Sequence, residues 1–276
     1  MTEPVYRVAR SVLLDALDAL GEHCDALTLV GAQAVYMHAG DVDIAVPPYT
    51  SDGDLAIDSA LLRDTPALEA ALEGANFKRE PDHIVGVWTT RRVVGEDAPR
   101  PFTVDLLVPS SSKQHAARLR GHHLRVARNV KGVEGAMVDH DVMTIRSLDA
   151  TDARSHELRV AGPAALIVAK VHKIDDRKDT PRLKPKDALD VYRLLRHFET
   201  EELVPRLRGL MADPRSSAVA TEAVNRFTDL FAARSGLGVE MTVRSVDGLA
   251  DPEETKASCL ALAGDLVDAI RASGGT

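Results

Sequence analysis

The spacing of the apolar residues changes near residue 155, and this change limits the possible folds more than any other feature of the chain. Before it, short apolar segments end at glycine, proline or polar turns, which is typical of strands. Four such segments are predicted strands: 27–31, 54–57, 83–94 and 101–109. After it, apolar residues recur at helical spacing. We therefore expect a mixed sheet with helices, of the α/β (α+β) class, followed by a mostly α-helical C-terminal half. The polar stretch 150–160 separates two predicted domains, 1–155 and 156–276.

The helices are predicted from this spacing together with residues that suit helix ends. Pro163 and Pro185 fit the first turn of a helix, Thr200 fits an N-terminal cap, and Gly40 fits the residue that ends a helix. The predicted helices are 5–20, 32–39, 60–74, 163–176, 185–198, one beginning at Thr200, 215–234 and 252–272. A further strand is predicted at 41–46.

Charge and hydropathy exclude some classes of protein. The formal net charge of -8 and the pI near 5.7 argue against a protein that coats nucleic acid non-specifically. No apolar run approaches the roughly 20 residues that span a bilayer, and the N-terminus lacks the pattern of a signal peptide. The two cysteines, Cys24 and Cys259, lie too far apart for a metal-binding or redox motif. We expect a cytoplasmic protein with reduced thiols and no membrane partner.

Positive charge is concentrated between residues 113 and 131. This segment contains no Asp or Glu, and its basic residues are Lys113, Arg118, Arg120, Arg125, Arg128 and Lys131. The histidines among them are His115, His122 and His123. A solvated surface and a phosphate-binding patch both fit such a segment. The sequence leaves open which of the two it is.

The most informative residues are Asp52 and Asp54, at the start of a predicted strand. Side chains two positions apart in a strand point to the same face, so the two carboxylates lie side by side. A cation between them relieves their repulsion, and Mg²⁺ prefers oxygen ligands of this kind. Thr50 or Ser51 adds a hydroxyl near the position of a bound phosphate. The alternative is an acidic surface turn.

A rival pair, Asp41 and Asp43, has the same spacing. We favour Asp52 and Asp54, because a helix that ends at Gly40 leaves Asp41 in the following turn. The rival pair stays open as the alternative metal-binding pair.

Two further features lie near this pair in the predicted sheet. Asp105 interrupts an otherwise apolar strand, and a buried charge of this kind needs a partner. That partner is either a metal ion shared with Asp52 and Asp54 or an arginine. Gly31 and Ala32 follow the first strand and open a helix, where small residues let backbone N–H groups approach a phosphate.

The second half contains a row of cations on the predicted helix 163–176. Lys170, Lys173 and Arg177 lie on one face. The neighbouring stripe is apolar and consists of Ile167, Val171 and Ile174. An amphipathic helix with a solvated edge explains the row. The functional reading is that a cation stabilises the charge of a leaving pyrophosphate.

Taken in order, these residues resemble the nucleotidyltransferase superfamily of the polymerase-beta fold. The resemblance rests on Gly31-Ala32, Thr50-x-Asp52-x-Asp54-Leu55 and Asp105. It implies a polymerase-beta-type mixed sheet in a catalytic domain, residues 1–155. It also implies a catalytic face built on the aspartates, with Gly31, Ala32, Thr50 and Ser51 beside the nucleotide.

The second half is similar to the AbiEii-type subgroup, to which the MenT toxins belong. The matching residues are Lys170-x-x-x-Ile174-x-Asp176-Arg177 and Lys186-Asp187-x-x-Asp190-Val191. The resemblance implies that Lys170 binds the triphosphate, with Lys173 on the same face, and that Asp187 supports Lys170. It implies that the helical domain, 156–276, completes the nucleotide site. The chain departs from the subgroup at Lys186, where arginine is usual, in a longer linker before it, and at Ala32, where glycine or serine is commoner.

The resemblance implies a Mg²⁺-dependent enzyme that moves a nucleotide from a nucleoside triphosphate (NTP) onto an acceptor. The MenT toxins imply that this acceptor is the 3′ end of tRNA, that the protein inhibits growth, and that a cognate antitoxin exists. A protein or small-molecule acceptor is the first alternative, favoured by the acidic net charge. A non-catalytic nucleotide-binding module is the second.

Overall fold

A computed structural model of the protein describes residues 4–40, 42–79, 84–110, 112 and 114–272. The chain forms two compact units. The sheet unit comprises Met1–Ala34, Pro48–Val133 and His140–Ala161. The helical unit comprises Val35–Pro47, Glu134–Asp139 and Gly162–Thr276. The functions predicted for residues 1–155 and 156–276 stay a prediction.

The sheet unit is built on a mixed seven-stranded sheet. Its strands are β1 (Leu27–Val30), β2 (Asp52–Ile57), β3 (Val87–Arg92), β4 (Arg100–Pro109), β5 (Arg128–Val130), β6 (His140–Arg146) and β7 (Ser155–Ala161). The strand order is β3-β4-β2-β1-β7-β6, with β5 paired to β4. The pairs β2–β4, β1–β7 and β4–β5 are parallel, and the others are antiparallel. This architecture confirms the predicted mixed α/β class.

The helices are as follows: α1 (Pro4–Ala19), α2 (Gly31–Ala39), α3 (Leu68–Gly74), α4 (Pro163–Arg177), α5 (Lys186–His197), α6 (Thr200–Ala212), α7 (Ser217–Phe227), α8 (Leu237–Ser245) and α9 (Pro252–Ala272). Short 3₁₀-helices cover Gly21–Ala26 and Glu134–Met137, and a short π-helix covers Thr228–Ala232. Among the described residues, every helix is too short or too polar to span a bilayer.

Helix α1 covers one face of the sheet and so decides which face remains for a site. Its apolar stripe is buried, and a Cβ added at Gly53 would lie 3.2 Å from Cδ1 of Leu13. Gly53 and Leu55 therefore face α1. Because strand side chains alternate, Asp52 and Asp54 point to the opposite face.

In the helical unit, the start of α4 is capped by a residue distant in sequence. The carboxylate of Asp139 accepts a hydrogen bond of 2.9 Å from the backbone N–H of Ala165. It also accepts one of 2.6 Å from the guanidinium of Arg206. A carboxylate at a helix N-terminus satisfies a free N–H and the positive end of the helix dipole. Asp139 therefore fixes the start of the helix that carries Lys170.

Several predicted elements differ from the structure. The strand predicted at 41–46 is wrong for its described residues, 42–46, which belong to no strand. Here the guanidinium of Arg193 donates to the carbonyl oxygen of Val46, so a side chain takes the place of a strand partner. The helix predicted at 60–74 is confined to Leu68–Gly74, after Pro66.

Further differences concern the edges of the sheet and the C-terminal helices. The strand predicted at 83–94 is shortened to β3, and residue 83 lies outside the described residues. Strands β5, β6 and β7 and helix α8 are not predicted at all. These strands lack a strong alternation of apolar and polar residues, because much of each is only half-buried. The preference of residues for strands depends on packing and burial as much as on local sequence, so strands with few buried residues give a weak local signal.

Candidate active site

Three aspartates lie on one face of two neighbouring strands. Strands β2 and β4 are parallel, and in their register Asp54 pairs with Asp105 while Asp52 pairs with Thr103. Paired residues on adjacent strands point to the same face, and so do residues two apart on one strand. Asp52, Asp54 and Asp105 therefore share one face, and all three are half-buried. This grouping is the one that the sequence predicts.

The carboxylate of Asp52 is oriented by the residues just before it. The hydroxyl of Thr50 donates a hydrogen bond of 2.7 Å to Oδ1 of Asp52, and the backbone N–H of Ser51 donates one of 3.2 Å to the same oxygen. Thr50 is buried, so its hydroxyl serves Asp52 in this structure. The predicted contact of Thr50 or Ser51 with a phosphate stays a prediction.

Gly31 lies directly against the second carboxylate. It has a φ of +70°, and a Cβ at this position would overlap the carboxylate of Asp54. Both observations require glycine, because a side chain would be strained and would also displace Asp54. Ala32 follows as a buried residue of the same helix. The N-terminus of α2 is therefore adjacent to the carboxylate face, as the sequence predicts, and its role in phosphate binding stays a prediction.

Asp105 is paired with an arginine. Nη2 of Arg128, on β5, lies 2.6 Å from Oδ2 of Asp105, and the two side chains are 17% and 14% exposed. The sequence left a metal ion or an arginine as the partner of Asp105, and the arginine is present. Arg128 belongs to the predicted basic segment, but nothing in its spacing pointed to this contact.

The aspartates fit a hard cation by their chemistry, because three carboxylates on one face are ligands of the type that Mg²⁺ takes. In this structure Asp52 accepts a hydrogen bond from Thr50, and Asp105 is paired with Arg128. Within the part of the chain that the structure describes, no group of three or more Asp, Glu, His or Cys side chains is arranged to hold a metal ion. Arg128 contacts Oδ2 of Asp105, so a cation bound by all three aspartates would share the Asp105 carboxylate with this guanidinium or displace it.

A buried network that the sequence analysis missed lies behind Asp52. Nε2 of Gln33 donates to the carbonyl oxygens of Asp52 and Ala9, at 3.1 Å and 3.2 Å. Oε1 of Gln33 accepts a hydrogen bond of 2.8 Å from Nε of Arg10. Arg10 also donates to the hydroxyl of Tyr6, at 2.8 Å. The available signal was one amide in the otherwise apolar start of α2 and one arginine on the apolar face of α1.

In the helical unit, α4 and α5 bring a second cluster of charges together. Nζ of Lys170 lies 2.9 Å from Oδ1 of Asp187 and 2.5 Å from Oδ2 of Asp190. Nζ of Lys173 lies 2.9 Å from the same oxygen of Asp187. Lys170 is only 4% exposed, whereas Lys173 is 34% exposed. Asp187 is thus a partner of Lys170, as predicted, and Asp190 is a second partner that we had not assigned.

Burial and pairing act in opposite directions on the charges of this cluster. Burial lowers the pKa of Lys170, but the carboxylates of Asp187 and Asp190 outweigh it, and the pKa is raised. Burial likewise raises the pKa of Asp187, but Lys170 and Lys173 outweigh it and hold the pKa below its ordinary value. Lys170 and Asp187 therefore remain charged and paired. The contact of Lys170 or Lys173 with a nucleotide stays a prediction.

The basic segment is partly neutralised within the sheet unit. Arg120 pairs with Asp64 at 2.9 Å, and Arg128 pairs with Asp105. Arg118 and Arg125 are exposed to solvent. Lys113 lies outside the described residues. The exposed arginines leave a small basic surface, which fits both readings of this segment.

The rival carboxylate pair is described only in part. Asp43 is exposed on the segment that follows α2, and Asp41 lies outside the described residues. Asp43 belongs to no strand, whereas Asp52 and Asp54 both lie on β2.

No protein-family model matches the sequence, and no curated protein matches it. The chain is similar to one solved structure, an antigenic nucleotidyltransferase-like protein from Paracoccidioides brasiliensis. The two share 13% sequence identity with a TM-score of 0.39, over 81% of this chain and 94% of that one. A TM-score at this level does not establish a shared fold.

Proposed function

We propose that this chain is a Mg²⁺-dependent nucleotidyltransferase that moves a nucleoside monophosphate from an NTP onto an acceptor. One observation carries the proposal: Asp54 and Asp105 are register partners on parallel strands, and Asp52 lies on the same face. The face lies next to Gly31, where only a glycine fits. A concentration of negative charge beside a helix N-terminus suits a site for a cation and a phosphate ester.

The proposed reaction is the transfer of a nucleoside monophosphate from the NTP to the acceptor. The acceptor oxygen forms a bond to the α-phosphorus, the bond from that phosphorus to the bridging oxygen breaks, and pyrophosphate leaves. Asp52, Asp54 and Asp105 would hold Mg²⁺, which when bound favours loss of the acceptor's proton and neutralises charge on the pyrophosphate. Thr50 orients Asp52, and the absent side chain of Gly31 leaves room for Asp54.

In the helical unit, we assign phosphate binding to Lys173 and a supporting role to Lys170. The resemblance to AbiEii-type proteins assigns the phosphate contact to Lys170. Lys170, however, is buried and paired with two carboxylates, so reaching a solvent-borne phosphate would break both pairs. Lys173 also contacts Asp187, but its side chain is 34% exposed. The more exposed cation is the better candidate for binding a ligand.

The acceptor that we propose is the 3′ end of tRNA, and the role is that of a growth-inhibiting toxin. Support comes from the AbiEii and MenT resemblance and from the exposed arginines Arg118 and Arg125. A cognate antitoxin is a prediction of the same resemblance. The net charge of -8 favours a different acceptor, a protein or a small molecule, and this is the second candidate.

A labelling experiment tests the function and separates the acceptors. The purified full chain is incubated with Mg²⁺, total tRNA and each α-labelled NTP in turn, with EDTA as the control. We expect label on tRNA that depends on Mg²⁺ and on one preferred NTP. Label on the protein itself or on lysate proteins would move the acceptor to protein. Thermal stabilisation by an NTP without transfer to anything would contradict catalysis and indicate a binding module.

The basic segment leads to a prediction about salt. Replacing Arg118 and Arg125 with alanine should weaken tRNA binding and flatten its dependence on salt. Each phosphate contact contributes roughly −0.7 to −0.9 to the slope of log K against log salt concentration. The measurement is the binding constant between about 50 and 200 mM salt.

The matched control for this prediction also removes two positive charges, but from positions outside the basic segment. Arg234 and Arg271 are exposed arginines of the helical unit, and the double alanine variant at these positions should keep the wild-type slope. Equal slopes for both double variants would show that Arg118 and Arg125 do not contact the acceptor.

A further inference from the structure

Asp52 lies at the place where the sheet loses a strand. Strand β1 pairs with β2 from Leu27 opposite Ile57 to Val30 opposite Asp54, and the chain then turns into α2 at Gly31. The pairing with β1 stops at Asp54, which lies two residues from Asp52 along β2. On this side of β2, the pairing with β1 therefore does not extend to Asp52.

The direction of the Asp52 carbonyl follows from its neighbour. The carbonyl oxygen of Ser51 accepts a hydrogen bond of 3.2 Å from the backbone N–H of Thr103, on the β4 side. Successive carbonyls in a strand point to opposite sides. The carbonyl of Asp52 therefore points to the side where β1 has ended. A half-buried carbonyl there needs another donor.

Gln33 supplies the shorter of two side-chain contacts to this carbonyl oxygen, at 3.1 Å, since the hydroxyl of Thr50 lies 3.4 Å from it. The side chain of Gln33 is fully buried, and Nε2 donates to the carbonyl oxygens of Asp52 and Ala9. The amide takes the place that a further residue of β1 would have filled. Gln33 therefore links Asp52 to helix α1, through the carbonyl oxygen of Ala9, and to α2, the helix that carries Gln33.

Arg10 fixes which way the amide points. A guanidinium only donates hydrogen bonds, so the amide oxygen of Gln33 must face it and the amide nitrogen must face the two carbonyls. Arg10 is itself buried, and its other nitrogens donate to Tyr6 and to the carbonyl oxygen of Arg146. The orientation of Gln33 is thus set by a buried cation on another element.

We propose that Gln33, oriented by Arg10, is a positioning residue that holds Asp52 in place for the cation of the active site. This inference rests on the proposed function. A glutamate at position 33 keeps the size of the side chain and the contact with Arg10. It removes both N–H donors, however, and places a carboxylate oxygen against the carbonyl of Asp52.

The test compares metal binding with stability. Mg²⁺ affinity is measured by calorimetry and Mn²⁺ affinity by electron paramagnetic resonance on the full chain, with the thermal midpoint recorded for each variant. We expect Gln33→Glu to weaken both affinities by about tenfold, the effect of losing one buried hydrogen bond. We also expect the loss of transfer to be reversed at high Mg²⁺ concentration, because the fold is retained.

A second variant guards against failure of the first to fold. Arg10→Met combined with Gln33→Met removes the buried cation together with its acceptor, so neither is left without a partner. It should weaken metal affinity to the same extent. Ser216→Ala is the matched control, because it deletes a buried hydroxyl that donates to a backbone carbonyl in the helical unit. It should lower stability without changing metal affinity.

The outcomes separate the two proposals. Metal binding by the wild type with unchanged affinity in both Gln33 variants would overturn the positioning role and leave the proposed function standing. Absence of both metal binding and transfer in the wild type would overturn the proposed function itself. A lower thermal midpoint with unchanged affinity would make Gln33 a purely structural residue and would also overturn the inference.

Discussion

Replacing Asp54 with asparagine should lower nucleotide transfer by a factor on the order of 10³ or more, without lowering the free energy of unfolding. Asp54 lies between its register partner Asp105 and Asp52 on one face of the sheet. Under the proposed function, a cation held there would offset several kcal/mol of the charge that develops in the transition state. Asparagine keeps the shape of the side chain and removes one of three like charges, which relieves repulsion in the protein without the cation. The measurements are transfer of labelled nucleotide and chemical denaturation.

The matched control decides between the two carboxylate pairs. Asp43 is exposed and belongs to the rival pair, so Asp43→Asn should leave transfer at the wild-type rate. Loss of transfer in Asp43→Asn with full activity in Asp54→Asn would move the metal site to Asp41 and Asp43. A large loss of stability in Asp54→Asn would instead show that this aspartate is a structural residue.

Replacing Lys170 with methionine should lower the free energy of unfolding by about 3–5 kcal/mol. The methionine fills nearly the same space, but it leaves the carboxylates of Asp187 and Asp190 buried without Lys170. Removing one member of a buried charge pair costs far more than the pair itself contributes, because the remaining charges stay out of water. Lys173 still lies against Asp187, so most of the cost comes from Asp190. Denaturation by urea or guanidinium measures the change.

Two further variants test this explanation. Lys178→Met removes a cation that pairs with Asp175 at 3.1 Å but is 45% exposed, and it should cost at most about 1 kcal/mol. Adding Asp187→Asn and Asp190→Asn to Lys170→Met should recover part of the lost stability, because neither carboxylate is then a buried charge without Lys170, although the buried guanidinium of Arg193 loses the nearby charge of Asp190. If the triple variant is less stable than Lys170→Met alone, the carboxylates stabilise the helical unit by some other means.

The sequence by itself determined the elements that depend on short-range geometry. Alternation in a strand follows from the backbone alone, so Asp52 and Asp54 were predicted to share a face before any partner strand was known. Gly31 is predicted at a strand-to-helix junction because the apolar segment 27–31 ends in glycine, and its φ of +70° is a local demand for glycine. The helices from Pro163 and after Pro185 followed from apolar spacing and from the preference of proline for helix starts.

Only the tertiary structure decided which residues meet across the chain. Asp105 and Arg128 lie 23 residues apart, and their pairing depends on the placement of β5 beside β4. The role of Gln33 appears only once β1 is seen to end before Asp52. Lys170 is predicted on a cationic face, yet it is buried, because α5 brings Asp187 and Asp190 against it. Such contacts depend on long-range packing, which the local spacing of residues does not encode. The face of a helix or strand on which each side chain lies is set by the periodicity of the backbone, and local sequence does encode that.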